Sequence, residues 1–122
     1  MIHMKIQFYK KCYIVLCFSS TVLAGEETGV EILDTCLSEH KAMMGDPVNS
    51  VRYGLCLGYL KGVADNLNGY TVCLPENMSK GVITRVLKRS FLAYSQAHQN
   101  QLSEAAKKTV VPALMQAFPC TK

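Results

Sequence analysis

Cysteine and histidine are the side chains here best suited to nucleophilic or metal chemistry, and this chain carries six cysteines and three histidines. Cys12 and Cys17 lie near the N-terminus; Cys36, Cys56, Cys73 and Cys120 fall in the remainder. The gaps between those four are 20, 17 and 47 positions, and none forms a C-x-x-C pair. Thioredoxin-type redox chemistry and a four-cysteine zinc site both favour close pairs, so neither fits this spacing. Beyond the N-terminal stretch there are only His40 and His98, 58 positions apart and in no metal-ligand spacing. Asp34, Glu39, Asp46, Asp65, Glu76 and Glu104 form no acid/base motif. The sequence has no glycine-rich phosphate loop of the G-x-G-x-x-G type. It therefore reads as a non-enzyme, with no metal site and no cofactor.

Four cysteines in a short exported chain instead read as two disulfides, each stabilising by roughly 2–4 kcal/mol. The export signal is expected at residues 1–24. Lys5, Lys10 and Lys11 make a positive start, Tyr13 to Leu23 is an apolar run, and Val22 and Ala24 are small residues placed for cleavage before Gly25. That run has 11 residues, too short for the roughly 20 needed to span a bilayer. The expected organisation is a cleaved signal peptide at 1–24 and one domain at 25–122. The whole chain has a formal charge of +4 over 122 residues. Three of its 13 basic residues and none of its 9 acids lie in the leader, so the domain carries about +1. Such a balance gives no electrostatic argument for nucleic acid.

The elements that hold the cysteines read as helices. Thr28 and Glu31 have capping-box spacing. Val30, Leu33, Leu37 and Met44, with Ile32 and Cys36, recur at helical period and predict a first helix over 29–44. Gly45-Asp46-Pro47 stops it, and Ser50 caps a second helix over 51–67. The expected core face of that helix is Val51, Leu55, Tyr59, Val63 and Leu67. Gly54, Gly58 and Gly62 recur every fourth residue along it. Each costs about 1 kcal/mol against Ala in a helix, which predicts close approach of another backbone as compensation. A third helix begins between Glu76 and Ser79 and runs to about 97 on Val82, Ile83, Val86, Leu87, Phe91 and Tyr94. Its Lys80, Arg85, Lys88 and Arg89 are expected on the surface. A fourth starts near Ser103 with Ala106, Val110, Leu114 and Phe118 inside; Pro112 should kink it or mark its boundary. No segment alternates with period two. The fold class is all-α, a small four-helix, disulfide-linked globular domain. Antiparallel neighbours favour Cys36–Cys56 with Cys73–Cys120; Cys36–Cys120 with Cys56–Cys73 is the competing set.

These features together resemble the Tai-type (Rap/Tai) immunity proteins. The segment Cys56-Leu-Gly58-Tyr59-Leu-Lys-Gly62-Val-Ala-Asp65 is similar to their CxGYxxGxxD pattern. Cys73-Leu-Pro75, the Val82/Val86-Leu87 helix and the ending Ala113-Leu114-Met-Gln-Ala117-Phe118-Pro119-Cys120 extend the likeness over roughly 33–120. The resemblance implies a helical, disulfide-bonded periplasmic protein of Gram-negative bacteria. Its partner would be a cognate peptidoglycan amidase, a cysteine peptidase-like toxin delivered by type VI secretion. It implies inhibition by steric occlusion of the toxin's active site, and a homodimer. Pro112 and the segment 95–101 depart from the family pattern.

The candidate packing residues are Gly54, Gly58, Gly62 and Tyr59. Binding residues are expected in the connecting loops, at Asn68, Tyr70, Glu76, Asn77 and His98, with aromatic Tyr70 as the anchor. A second reading is a periplasmic helical acid-stress chaperone of the Hde type, or another envelope binding protein without catalysis. A third is a colonisation factor, which the sequence does not separate from the first.

Overall fold

The computed structural model describes residues 27–121, so the expected signal peptide lies outside the described residues. The chain there is all-helical. Helix α1 spans Gly29–Cys36, α2 Glu39–Met43, α3 Pro47–Leu67, α4 Lys80–Ala97 and α5 Lys107–Ala117, with a 3-10 turn at Gln99–Gln101. The segments α1 and α2 are the two halves of the single helix expected over 29–44, which makes four helical arms. No strand pairs beyond isolated bridges among the described residues.

Helices α1, α3 and α4 begin where a side chain satisfies free N–H groups of the first turn. At α1 the capping box forms: the Thr28 N–H donates to Glu31 Oε1 at 3.0 Å, and the Glu31 N–H donates to Thr28 Oγ1 at 3.3 Å. The first arm then breaks at Leu37–Ser38. Helix α3 starts four residues earlier than expected, because Asp46 and not Ser50 is its cap. The Asp46 carboxylate accepts from the Val48 and Asn49 N–H groups, and Pro47 occupies the first turn, where its missing N–H costs nothing. Ser50 instead donates to the Asp46 carbonyl. Ser79 caps α4 by accepting from the Val82 N–H. The fourth arm starts at Lys107, not near Ser103, because the chain first makes the 3-10 turn and a bridge from Ala105 to Thr28. Pro112 lies inside α5 and does not mark its boundary. Gly45 and Gly69 have φ of +92° and +93°, and so reverse the chain after α2 and α3.

The core gathers Ile32, Leu60, Leu87, Phe91, Val110 and Leu114, with both sulfurs of one disulfide. Phe91 and the aliphatic residues each contribute about 1.5–3 kcal/mol by leaving water. On α3 the buried line is Cys56, Leu60 and Ala64. The expected core residues Val51 and Leu55 are 65% and 60% exposed. Both lines repeat every four residues, so periodicity alone does not choose between them; the disulfide from Cys56 to the buried Cys36 does. On the first arm Ile32 and Cys36 face inward, while Val30, Leu37 and Met44 are exposed. Lys88, expected on the surface, is buried.

The structure joins Cys36 to Cys56 and Cys73 to Cys120, with Cα–Cα distances of 4.9 and 5.0 Å. The first bridge ties α1 to α3 within the core. The second fastens the loop before α4 to the chain end after α5, beside a Cys73 N–H donating to the Phe118 carbonyl at 2.9 Å.

Candidate functional site: an exposed helical ridge between two charged grooves

Helix α3 crosses the middle of the domain and exposes a small-residue ridge. An added Cβ at Gly54, Gly58 or Gly62 would meet nothing within 4 Å. Among the described residues of one chain, the expected second backbone therefore does not approach these glycines. It occurs instead at Gly29, where a Cβ would lie 2.9 Å from Thr109 Oγ1 and 3.2 Å from Leu102 Cα. There the first turn of α1 packs against Leu102, just after the 3-10 turn, with the Val30 N–H donating to the Leu102 carbonyl at 2.9 Å. The only sequence signal for that contact was a glycine inside a capping box. Exposed Val48, Val51 and Leu55 prolong the α3 ridge toward its N-terminal end.

A groove runs along each flank of the ridge. On the α1 side the carboxylates of Glu27, Glu31 and Asp34 line it, with Arg52 and the half-buried Tyr59. Arg52 lies 4.0 Å from Asp34 and donates through Nε to Ser38 Oγ at 3.1 Å. On the α4 side a second groove of about 660 Å³ has the opposite sign. Lys80, Arg85 and Arg89 stand along it, and Tyr53 and Leu57 form its apolar wall.

At the bottom of this second groove the Lys88 ammonium donates to Glu39 on α2. It also lies 3.4 Å from the Tyr53 hydroxyl and 5.6 Å from the centre of that ring. The hydrogen bond from Lys88 holds the Glu39 carboxyl below its ordinary range, against a smaller opposing effect of burial. Burial disfavours the Lys88 charge, but the bonds to Glu39 and Tyr53 together keep its ammonium protonated above the ordinary lysine value. Sequence reasoning missed this ion pair, because Glu39 and Lys88 belong to no local motif.

The expected binding residues divide into two groups. Tyr70 is 80% exposed on the turn after α3, and Glu76 and Asn77 are exposed just before α4. Asn68 and His98 are engaged by their own backbone. Asn68 Oδ1 accepts from the Leu74 N–H at 2.9 Å. His98 stacks on Tyr94 with ring centres 3.9 Å apart, and its Nδ1 lies 3.0 Å from the Tyr94 carbonyl oxygen. Tyr59 packs against the core and edges the acidic groove.

Among the described residues no group of three or more His, Cys, Asp or Glu side chains is placed to hold a metal ion. No described helix is long and apolar enough to cross a membrane. What this surface offers is a rigid shape with an apolar ridge and two charged flanks, suited to contact with another macromolecule. No curated protein and no solved structure matches the chain. Residues 28–120 match the family described as Rap1a immunity proteins, a span that takes in every described helix and both disulfides, and the chain belongs to that family.

Proposed function

We propose that the protein is exported to the periplasm and there neutralises a peptidoglycan amidase toxin delivered by type VI secretion, by covering the toxin's active-site cleft. The family match over residues 28–120 carries this reading: the family is one of immunity proteins, not of enzymes, and membership supports a toxin-immunity role. The fold suits occlusion. Two disulfides fix the relative positions of α1, α3 and the chain end, so little ordering entropy is lost when a partner binds. Exposed Tyr70, with Glu76 and Asn77 on the same connection, forms a protruding contact site at one end of α3. Asn68 and His98 shape that contact indirectly, by holding the ends of α3 and α4. The exposed ridge of α3, with Val48, Val51 and Leu55, serves self-association into a homodimer.

The test is direct. The protein without its leader is mixed with a candidate type VI peptidoglycan amidase from the same genome, and complex formation and peptidoglycan cleavage are measured together. A stoichiometric complex with cleavage abolished is expected. Absence of a complex at micromolar concentration overturns the reading.

A further inference from the structure

We propose that the basic groove between α3 and α4 is the place where the partner toxin docks an acidic segment of its own chain, an inference that rests on the immunity reading above. Three observations carry it. First, the positive charge is local. The domain as a whole is nearly neutral, yet Lys80, Arg85 and Arg89 stand along one groove, and none of the three is in an ion pair among the described residues. Among the described residues Glu39 is the only carboxylate lining the groove; it is bonded to Lys88, and its charge also acts on Arg89. One carboxylate does not balance the four cations Lys80, Arg85, Lys88 and Arg89, and an incoming carboxylate relieves the repulsion that remains.

Second, the groove is amphipathic. Tyr53 and Leu57 supply an apolar wall, and Met43 is 71% exposed at the edge. A phosphate or a bare polyanion makes no use of such a wall, whereas a peptide carries apolar and acidic side chains together. The guanidinium forks of Arg85 and Arg89 match carboxylates in bidentate geometry. Third, the groove is open within one copy, since Gly58 and Gly81 in its lining leave space where a Cβ would stand.

The acidic groove of a second copy has the complementary charge, but it too is concave, and two concave surfaces do not seat in each other. The Lys88–Glu39 pair holds α4 to α2 beneath the groove, so the cationic rim is preformed. Lys80, the first residue of α4, connects the groove to the loop that carries Glu76 and Asn77.

The experiment compares two matched charge reversals, Arg85→Glu/Arg89→Glu in the groove and Lys107→Glu/Lys108→Glu on α5. Binding to the amidase that the parent protein inhibits is measured by calorimetry and by association rate, with thermal unfolding as a check on the fold. The groove variant is expected to bind about tenfold more weakly or worse, mostly through a slower association that also loses its salt dependence. The α5 variant is expected to bind like the parent. Equal binding by parent and groove variant overturns the groove while leaving the immunity reading intact. A parent that binds and inhibits none of the candidate amidases overturns both. Vesicles of phosphatidylglycerol provide the remaining arm. If the parent binds them, the groove variant does not, and amidase binding is unchanged, the groove is a lipid-facing surface and the proposal falls.

Discussion

The Lys88 ammonium on α4 is ion-paired to the Glu39 carboxylate on α2, 49 positions earlier in the chain. The two ends of the pair sit in different environments: the Lys88 side chain is 9% exposed and that of Glu39 is 38% exposed. Removing one partner should therefore not equal removing the other. Glu39→Ala leaves a buried cation with the Tyr53 hydroxyl at 3.4 Å, and is expected to cost about 1.5–3 kcal/mol, the range for a hydrogen bond to a charged group. Lys88→Met keeps the buried stem volume and leaves a carboxylate that reaches water, and is expected to cost less than about 1 kcal/mol. Urea midpoints of the two variants decide this. Equal losses, or a larger loss for Lys88→Met, contradict the described burial.

The same pair sets a pH dependence. Glu39 and Asp46 are both held below their ordinary values of 4.5 and 3.8. Bonds from Lys88 act on Glu39; bonds from Asn49, through side chain and backbone, act on Asp46. A depressed acid contributes stability above its unfolded value and loses it as the pH falls through the lower folded value. Lys88 is held above 10.5, so its contribution is complete below that value and is lost only as the pH rises through the raised one. The melting temperature should stay level across neutral pH and fall on the acid side below about 4.5. Glu39→Gln should flatten part of that fall. An unchanged acid slope in Glu39→Gln removes Glu39 from the account.

Much of this architecture was legible in local chemistry. The capping box at Thr28 and Glu31, the buried Ile83, Leu87 and Phe91 of α4, and the buried Ala106, Val110 and Leu114 of the last arm all follow from period and spacing. What was not legible depended on choosing between equivalent alternatives. On α3 the lines through Val51 and Leu55 and through Cys56, Leu60 and Ala64 repeat at the same interval, and the bond from Cys56 to Cys36 on another helix is what turns the second inward. Lys88 looked like a surface charge because its partner lies on another arm. The α3 glycines suggested close packing, but a missing Cβ signals either a tight contact or an open face, and sequence does not say which.

The two disulfides offer a contest between chain entropy and packing. Closing 47 positions rather than 20 gives Cys73–Cys120 the larger entropic contribution, about 4 against about 3 kcal/mol. Yet Cys36 and Cys56 are fully buried, and replacing both by Ala empties two sulfur-sized volumes in the core, worth about 0.8 kcal/mol each by analogy with a methylene. Packing is thus expected to win. Cys36→Ala/Cys56→Ala should lower the urea midpoint more than Cys73→Ala/Cys120→Ala, with both variants less stable than the parent. The reverse order means that loop closure, not the core, governs the difference.

Glycine substitutions separate stability from association. At Gly29 a methyl group meets Thr109 Oγ1 and the Leu102 backbone, so Gly29→Ala is expected to cost about 1–3 kcal/mol through overpacking. At Gly54, Gly58 and Gly62 the space is open, and Ala should instead add about 0.5–1 kcal/mol each by restricting the unfolded chain and favouring the helix. Those three positions lie on the exposed ridge of α3 proposed for self-association. If a second backbone packs there in the homodimer, added methyl groups hold it off. The triple alanine variant should then melt at a higher temperature than the parent as a monomer while its dimer dissociates at higher concentration. Thermal unfolding and light scattering on the same samples measure both. A variant that gains stability and dimerises as the parent does places the self-association surface elsewhere on the domain.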